Sequence, residues 1–109
     1  MRIKLDKQLK LMTGEVMTET YLKNGNEVTE EVTVAVVLRA ALTTPMEGDN
    51  RKDKEMDFTI ISKILTAEAN QVELNSDEIS RLKDKIYKMY DSWISGCMDL
   101  ILEGKELPV

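Results

Sequence analysis

The sequence contains no histidine, and cysteine occurs only once, as Cys97. The absence of histidine removes the commonest general base, the commonest zinc ligand and the usual sensor of physiological pH. A lone cysteine cannot form an intramolecular disulfide, which is typical of a reducing cytoplasm. A catalytic thiol would also need a basic neighbour that lowers its pKa, and no histidine can supply one. We therefore expect a buried structural cysteine and no enzymatic activity.

Long apolar runs and a net positive charge are absent as well. No stretch approaches the roughly 18 apolar residues that indicate a membrane-spanning helix, and the N-terminal MRIKLDKQLK lacks the apolar run of a signal peptide. We therefore expect a soluble cytoplasmic protein without a membrane partner. The net charge of −5 argues against general nucleic-acid binding, which needs a basic face.

Aromatic residues make up only 5% of the chain, and its five glycines are scattered singly. No glycine-rich loop could cradle a phosphate group, and we predict no cofactor. Hydrophobic residues nevertheless account for 42% of the 109 residues, which is typical of one globular domain. Seven methionines occupy part of the space left by the missing aromatics, which predicts a pliable core or an adaptable contact surface.

The stretch from Asn75 to Gly104 has the clearest periodicity in the chain. Its apolar residues recur at steps of three and four, which predicts the inner face of an amphipathic helix. Asn75 and Glu78 have the spacing of a capping box, and Gly104 is a suitable terminator. The apolar positions are Ile79, Leu82, Ile86, Met89, Tyr90, Trp93, Ile94, Cys97, Met98, Ile101 and Leu102.

A single straight helix over residues 76–103 would be about 40 Å long. That length exceeds the diameter of about 27 Å expected for a domain of this size. In one arrangement the helix breaks near residues 90–92, with Ser92 as a new cap and Gly96 as a weak point. In the other the helix stays whole, and its overhanging end packs on another chain. We favour the break.

The N-terminal part is predicted to be rich in β-structure. Partial alternation of apolar and polar residues over residues 2–11 indicates a strand, and the Thr, Val and Tyr content of residues 16–22 indicates another. The dipeptide Asn24-Gly25, just after the second of these strands, is a strong hairpin signal. Residues 27–31 form either a third strand or the approach to a helix.

The middle of the chain contains two predicted helices. Thr33 has the position of an N-cap for VAVVLRAAL, whose helical period outweighs the strand preference of its valines, and Pro45 ends this helix. A polar loop follows at residues 46–54, and a second helix extends over about residues 52–69. Residues 71–74 are predicted to be a short extended link or one strand of a small pair.

These elements predict an α+β fold, in which a small N-terminal antiparallel β-hairpin or meander packs on three to four helices. We treat residues 1–109 as a single domain, with a β-rich part at 1–31, a helical part at 32–104 and a tail at 105–109. The predicted core consists of Leu38, Leu42, Ile60, Ile61, Ile64, Ile79, Leu82, Ile86, Trp93, Ile94 and Ile101.

Two groups of acidic residues suggest a metal site at first sight. Neither group has the alternating ligand order and central glycine of a calcium loop. We therefore interpret them as solvated surface charge and predict no metal ligand. The groups are Glu27, Glu30 and Glu31, and Asp49, Asp53 and Asp57.

Four basic residues near the start of the last helical stretch could form a basic stripe. Acidic residues are interleaved with them, because Asp77 and Asp84 lie four residues before Arg81 and Lys88, the spacing of surface ion pairs. No helix-turn-helix or RNA-binding signature accompanies the stripe. The four residues are Arg81, Lys83, Lys85 and Lys88.

Two sets of residues are candidates for a contact surface. Tyr and Trp side chains are favoured as interface anchors, although core packing is their default role, and a chain of this length does not easily bury a long apolar stripe. The interface candidates are Tyr87, Tyr90, Trp93, Cys97, Met98 and Ile101. The candidates on the polar loop, which we expect to be mobile, are Glu47, Asp49, Arg51 and Lys52.

The pattern VTVAVVLRAAL, then Pro45 and Gly48-Asp49, then KILTAEANQVELNSDEISRLKDKIYKMY resembles a group of small uncharacterised proteins of tailed bacteriophages and prophages. The resemblance covers roughly residues 32–104 and includes a V-E-L-x-x-x-E-I junction and the Leu-Glu-Gly end at residues 102–104. The matching positions are structural ones. The resemblance therefore implies a phage setting, with no catalytic residue to carry over, and the Asn-Gly hairpin departs from the pattern.

Our leading functional hypothesis is a small non-enzymatic protein of phage type that acts through protein–protein contacts. It would serve as an assembly accessory or as an inhibitor of a host factor, in the bacterial cytoplasm. We expect it to self-associate through the last helix, for example as a homodimer. A small DNA-binding regulator that uses the basic stripe is the alternative hypothesis, and a hydrolase that uses carboxylates and a divalent metal ion is the third.

Overall fold

The structure, a computed structural model, describes all residues from 1 to 109 and has an α+β fold, as predicted. Four helices are accompanied by two separate two-stranded antiparallel sheets. None of the helices is long and apolar enough to cross a membrane. In chain order the elements are β1 (Arg2–Lys4), β2 (Thr18–Lys23), β3 (Asn26–Glu31), α1 (Val34–Thr43), α2 (Arg51–Leu65), β4 (Gln71–Glu73), α3 (Ser76–Met89) and α4 (Ser92–Leu102).

The long C-terminal stretch is divided into α3 and α4, so the predicted break near residues 90–92 is confirmed. Tyr90 has extended backbone angles (φ −116°, ψ 164°), and the side chain of Asp91 accepts a hydrogen bond from the amide of Ile94. The cap of α4 is therefore Asp91, and the prediction of Ser92 is wrong by one residue. The buried Ser95 hydroxyl donates to the carbonyl of Ile86 (3.4 Å), which links α4 to α3.

The predicted ends of this stretch are both present. Asn75 and Glu78 exchange the two hydrogen bonds of a capping box at the start of α3. Gly104 has a φ of +73°, and the amide of Lys105 donates to the carbonyl of Leu100 (2.8 Å), the bond that closes a Schellman C-cap. Gly96 lies exposed inside α4, and a methyl group added at its Cα would meet no atom within 4 Å apart from its chain neighbours and the backbone of its own helix. It therefore marks neither a break nor a close approach of the chain.

The first predicted strand does not join an N-terminal meander. Only Arg2–Lys4 are in β1, and β1 pairs with β4, so that Ile3 lies opposite Val72. The chain turns at residues 5 and 6, which ends the strand before residue 11. The extended link predicted at residues 71–74 is thus one strand of a small sheet, and its partner comes from the opposite end of the sequence.

The second sheet is the hairpin of β2 and β3. Asn24 (φ +53°) and Gly25 (φ +81°) occupy the two turn positions that need a positive φ, so the predicted tight turn is confirmed. Residues 26–31 form the third strand, which settles the alternative that the sequence left open. Every residue of the two strands is exposed except Val28, which is half-buried.

The two middle helices begin as predicted but differ in length. Thr33 caps α1 through the amide of Val36, and the helix ends before Pro45, so the strand alternative for this segment is wrong. Asn50 caps α2, which starts at Arg51 and ends at Leu65. The predicted extension to residue 69 is wrong, because Ala69 and Asn70 both have a positive φ in the turn that leads to β4.

One cluster of 18 buried apolar side chains forms the core, and none of them comes from the β2–β3 hairpin. Six of the predicted core residues are in it, namely Leu38, Leu42, Ile60, Leu82, Ile86 and Ile101. The other predicted residues are half-buried at its edge, namely Ile61, Ile64, Ile79, Trp93 and Ile94. The N-terminal segment contributes buried residues that the prediction omitted, namely Ile3, Leu5 and Leu9.

Candidate functional site

Four charged side chains from three parts of the chain meet between α2 and α3. Arg81 on α3 donates from Nε to Asp57 Oδ1 (2.9 Å) and from Nη2 to Asp57 Oδ2 (3.0 Å), which is a bidentate pair. The same Nη2 donates to Asp49 Oδ1 (2.9 Å). Lys85, one turn further along α3, donates to Asp57 Oδ2 (2.8 Å). We call these four residues the charge cluster.

The charge cluster corrects two expectations from the sequence. Asp49 and Asp57 were expected to be solvated, yet their side chains are only 6% and 8% exposed. Arg81 was expected to pair with Asp77 on its own helix, but it pairs with Asp57 and Asp49 instead. The guanidinium of Arg81 is nearly buried, so it needs carboxylates that face its N–H groups at hydrogen-bonding distance. Asp77, one turn earlier on the helix surface, does not provide such a contact.

The carboxylates of the cluster remain ionised in this setting. Burial acts to raise the pKa of Asp57, but hydrogen bonds from Arg81 and Lys85 outweigh it, and the pKa lies below its ordinary value. The amide of Met46 donates to Asp49 Oδ2 (3.0 Å), and this bond, with the one from Arg81, lowers the pKa of Asp49. Hydrogen bonding to both aspartates raises the pKa of Arg81. The cluster is therefore two anions and two cations.

Acid is expected to weaken the fold through carboxylates whose folded pKa is depressed. Their ionised forms stabilise the fold above the ordinary pKa, and this contribution is lost as the pH falls through the folded value. For Glu103, hydrogen bonds from Lys83 and Lys105 lower the pKa from 4.5 to about 2. The free energy of unfolding, measured with urea, should therefore fall as the pH is lowered from 4.5 to about 2. Glu103→Gln should be less stable at neutral pH and have a flatter profile, and an unchanged profile would contradict this assignment.

The loop candidates differ in their exposure to solvent. The side chain of Asp49 is almost fully buried in the charge cluster, where it is hydrogen-bonded to Arg81 and to the amide of Met46. Arg51 is in the first turn of α2, where it makes an exposed pair with Glu55 (2.9 Å). Glu47 and Lys52 are exposed. Asp49 and Arg51 line one open cavity, but Glu47 and Lys52 do not line it, so the four residues do not all converge on one site.

The interface candidates also differ in their burial. Tyr87 is 78% exposed, and Tyr90 is half-buried beside it. Trp93 is half-buried, and its indole N–H donates to the carbonyl of Lys10 (2.7 Å). The remaining candidates, Cys97, Met98 and Ile101, are part of the core. Burial of Cys97 and the core position of Ile101 agree with the core prediction, and Met98 joins them because α4 packs back against α3 and turns all three inward.

Most residues of the basic stripe form ion pairs within the chain. Arg81 and Lys85 belong to the charge cluster, and Lys83 pairs with Glu103 (2.6 Å). Only Lys88 is exposed without an ion pair. The arrangement therefore offers little positive surface to a phosphate backbone. The structure also has no group of three or more His, Cys, Asp or Glu side chains that could hold a metal ion.

A groove of about 360 Å³ lies directly over the charge cluster. The end of α1 and the residues that follow form one side, and α2 forms the other. Phe58, which is 69% exposed, stands at its rim. The helical period of α2 indicates an inner face but no groove, because a groove depends on how two helices pack. Its lining consists of Leu42, Thr43, Thr44, Pro45, Asp49, Lys54, Asp57, Phe58, Ile61 and Lys85.

The β2–β3 hairpin is a second candidate surface. Its base is tied to the N-terminal segment, because Met17 donates to the carbonyl of Leu9 (2.8 Å) and Leu9 to that of Val32 (2.9 Å). Beyond that base, its strands pair only with each other. Tyr21 donates to Glu30 (2.6 Å) across one face, and Leu22 is 72% exposed on the other.

The composition of the hairpin is strongly acidic. Residues 18–31 contain four glutamates and one lysine. Such an excess of one sign of charge on a projecting element repels a second copy of the same element and attracts a basic surface. Comparisons of the whole chain with protein-family models, with curated proteins and with solved structures give no match.

Proposed function

We propose that this protein is non-enzymatic and works by binding another protein through the β2–β3 hairpin. The observation that supports this proposal is the exposure of the hairpin. An isolated two-stranded hairpin is marginally stable in water at best, and no residue of this one belongs to the hydrophobic core. Its exposed Leu22 and Tyr21 have no folding role comparable to that of a core residue.

The edge of β2 suits the addition of a strand from a partner. Lys23 and Asn26 flank the two-residue turn and form a hydrogen-bonded pair, so the backbone groups of Thr20 and Leu22 point away from β3. Neither Thr20 nor Leu22 carries the charge that commonly protects an exposed edge. An extended segment of a partner can therefore pair with β2 along its backbone.

The partner would carry a basic contact surface. The four glutamates of the hairpin outnumber its one lysine, and complementary charge increases the rate and the specificity of association. In the phage setting that the resemblance implies, such a protein would act as an assembly accessory or as an inhibitor of a host factor. Self-association stays a prediction, and it would use Tyr87 and Tyr90, because the other candidates of the last helix are buried or hydrogen-bonded.

The test compares capture of proteins from a bacterial lysate by tagged wild type and by a hairpin variant. Leu22→Ser with Glu27→Lys alters two directly opposed exposed residues. We expect the wild type to capture a partner that dissociates at high salt, and the variant to lose it while keeping the circular dichroism of the wild type.

Leu65→Ser is the matched control, because Leu65 is 80% exposed on α2. It should capture the same partner as the wild type. Light scattering behind a sizing column measures the oligomeric state in parallel. The proposal is contradicted if the wild type is a monodisperse monomer that captures nothing. It is also contradicted if the hairpin variant captures as much of the partner as the wild type does.

A further inference from the structure

Lys85 has unused hydrogen-bonding capacity at the floor of the groove. Its side chain is 1% exposed, and Asp57 Oδ2 is the single acceptor bonded to its Nζ. A lysine ammonium has three donors, so two of them have no acceptor in the protein. A nearly buried cation with spare donors is costly unless another acceptor is present. Lys85 also lines the groove, which is where an acceptor could reach it.

The walls of the groove are apolar for much of their extent. Leu42 and Pro45 lie on the α1 side, and Ile61 and Phe58 lie on the α2 side. The hydroxyls of Thr43 and Thr44 donate to carbonyls within α1, so they do not compete for a ligand's polar group. A pocket with apolar walls and a few convergent polar groups is typical of small-ligand sites.

The charges around the groove favour an anion. Lys54 lines it together with Lys85, and Arg81 lies behind the two aspartates, which gives three cations. Asp49 and Asp57 are the two anions, so the lining is neutral, and with Arg81 the five side chains have one positive unit in a chain whose net charge is −5. Both aspartates accept hydrogen bonds from Arg81, and this pairing limits their repulsion of an incoming anion.

We propose that this groove binds a carboxylate carried on an apolar body, with the carboxylate on Lys85 and the apolar body against Phe58 and Ile61. Two sources have this chemistry, a free aliphatic carboxylic acid and the C-terminal carboxylate of a peptide with an apolar last residue. The groove and the hairpin are separate surfaces, so either proposal can fail alone.

The test is a titration of the ¹⁵N-labelled full chain, followed by the amide resonances in two-dimensional NMR. Hexanoate is the probe for a free acid, and N-acetyl-Phe-Leu is the probe for a chain end. Hexanamide and the C-terminal amide of the same dipeptide are the matched neutral probes. We expect at least one acid to shift the backbone amide resonances of residues 42–49 and 54–61, and the neutral probes to have little effect.

Three variants test which side chains of the groove contact the ligand. Lys85→Met keeps the alkyl chain and removes the donors, so it should weaken binding by about tenfold or more. Lys83→Met is its control on the same helix, since Lys83 pairs with Glu103 outside the groove and should leave binding unchanged. Phe58→Ala changes an exposed residue, so it should fold normally and weaken hexanoate binding more than acetate binding.

The response of the two acids distinguishes the sources. Binding of hexanoate indicates a free acid, and binding of the peptide acid alone indicates a chain end, and both support the carboxylate site. The proposal is overturned if neither acid shifts the groove residues, if the neutral probes bind as well as the acids, or if Phe58→Ala leaves hexanoate binding unchanged.

Discussion

Replacing Asp57 by alanine is expected to lower the free energy of unfolding by about 3–5 kcal/mol. Asp57 receives three hydrogen bonds from Arg81 and Lys85, and it is the single acceptor for Lys85. Its removal leaves an ammonium buried without a counterion, which costs much more than the net worth of an intact pair. Urea unfolding at neutral pH, followed by circular dichroism, measures the change.

The control for Asp57→Ala is Glu55→Ala on the same helix. Glu55 pairs with Arg51 at the surface, where the two side chains are 63% and 93% exposed. Loss of that pair should change the free energy of unfolding by less than about 1 kcal/mol. Equal effects of the two substitutions would show that the charge cluster does not hold α2 against α3.

The charge cluster could be predicted from the sequence only in part. Asp57 and Arg81 are 24 residues apart and on different helices. The spacing rule for ion pairs considers one helix at a time, so it assigned Arg81 to Asp77. One signal was present, because Lys85 follows the inward position Leu82 by three residues, a step that keeps it beside the inner arc of the helix. A lysine on that arc needs a buried anion from another element.

The positions of most helices could be predicted from local signals in the sequence, because such signals act within a few residues. The caps at Thr33 and Asn75 and the turn at Asn24-Gly25 each involve side-chain or backbone preferences over one turn of chain. The division of the last helix followed from a conflict between helix length and domain size. The pairing of β1 with β4 was not accessible in this way, since alternation identifies a strand but not its partner.

The division of the last helix also decides where the interface candidates lie. A straight helix would carry its apolar stripe beyond the domain, where it could meet another chain. The extended backbone at Tyr90 lets α4 fold back, which buries Cys97 and Met98 and leaves Tyr87 outside. Burial also raises the pKa of the Cys97 thiol, in keeping with an inert structural role.

Replacing Met98 by alanine should therefore destabilise the monomer and leave any association unchanged. Met98 is fully buried, and truncation of a buried methionine to alanine costs about 2–5 kcal/mol because a cavity replaces its contacts. Urea unfolding at two protein concentrations measures this change. The free energy of unfolding should fall by the same amount at both, because no intersubunit contact is lost.

Tyr87→Ala provides the comparison, since Tyr87 is 78% exposed. Its effect on the free energy of unfolding should stay within about 0.5 kcal/mol, as for other surface positions. If the wild type is a dimer by light scattering and Tyr87→Ala is a monomer of normal stability, self-association uses the outer end of α3. If Met98→Ala dissociates a dimer without destabilising the monomer, the placement of Met98 in the core is wrong. The last helix would then form the interface between the two chains.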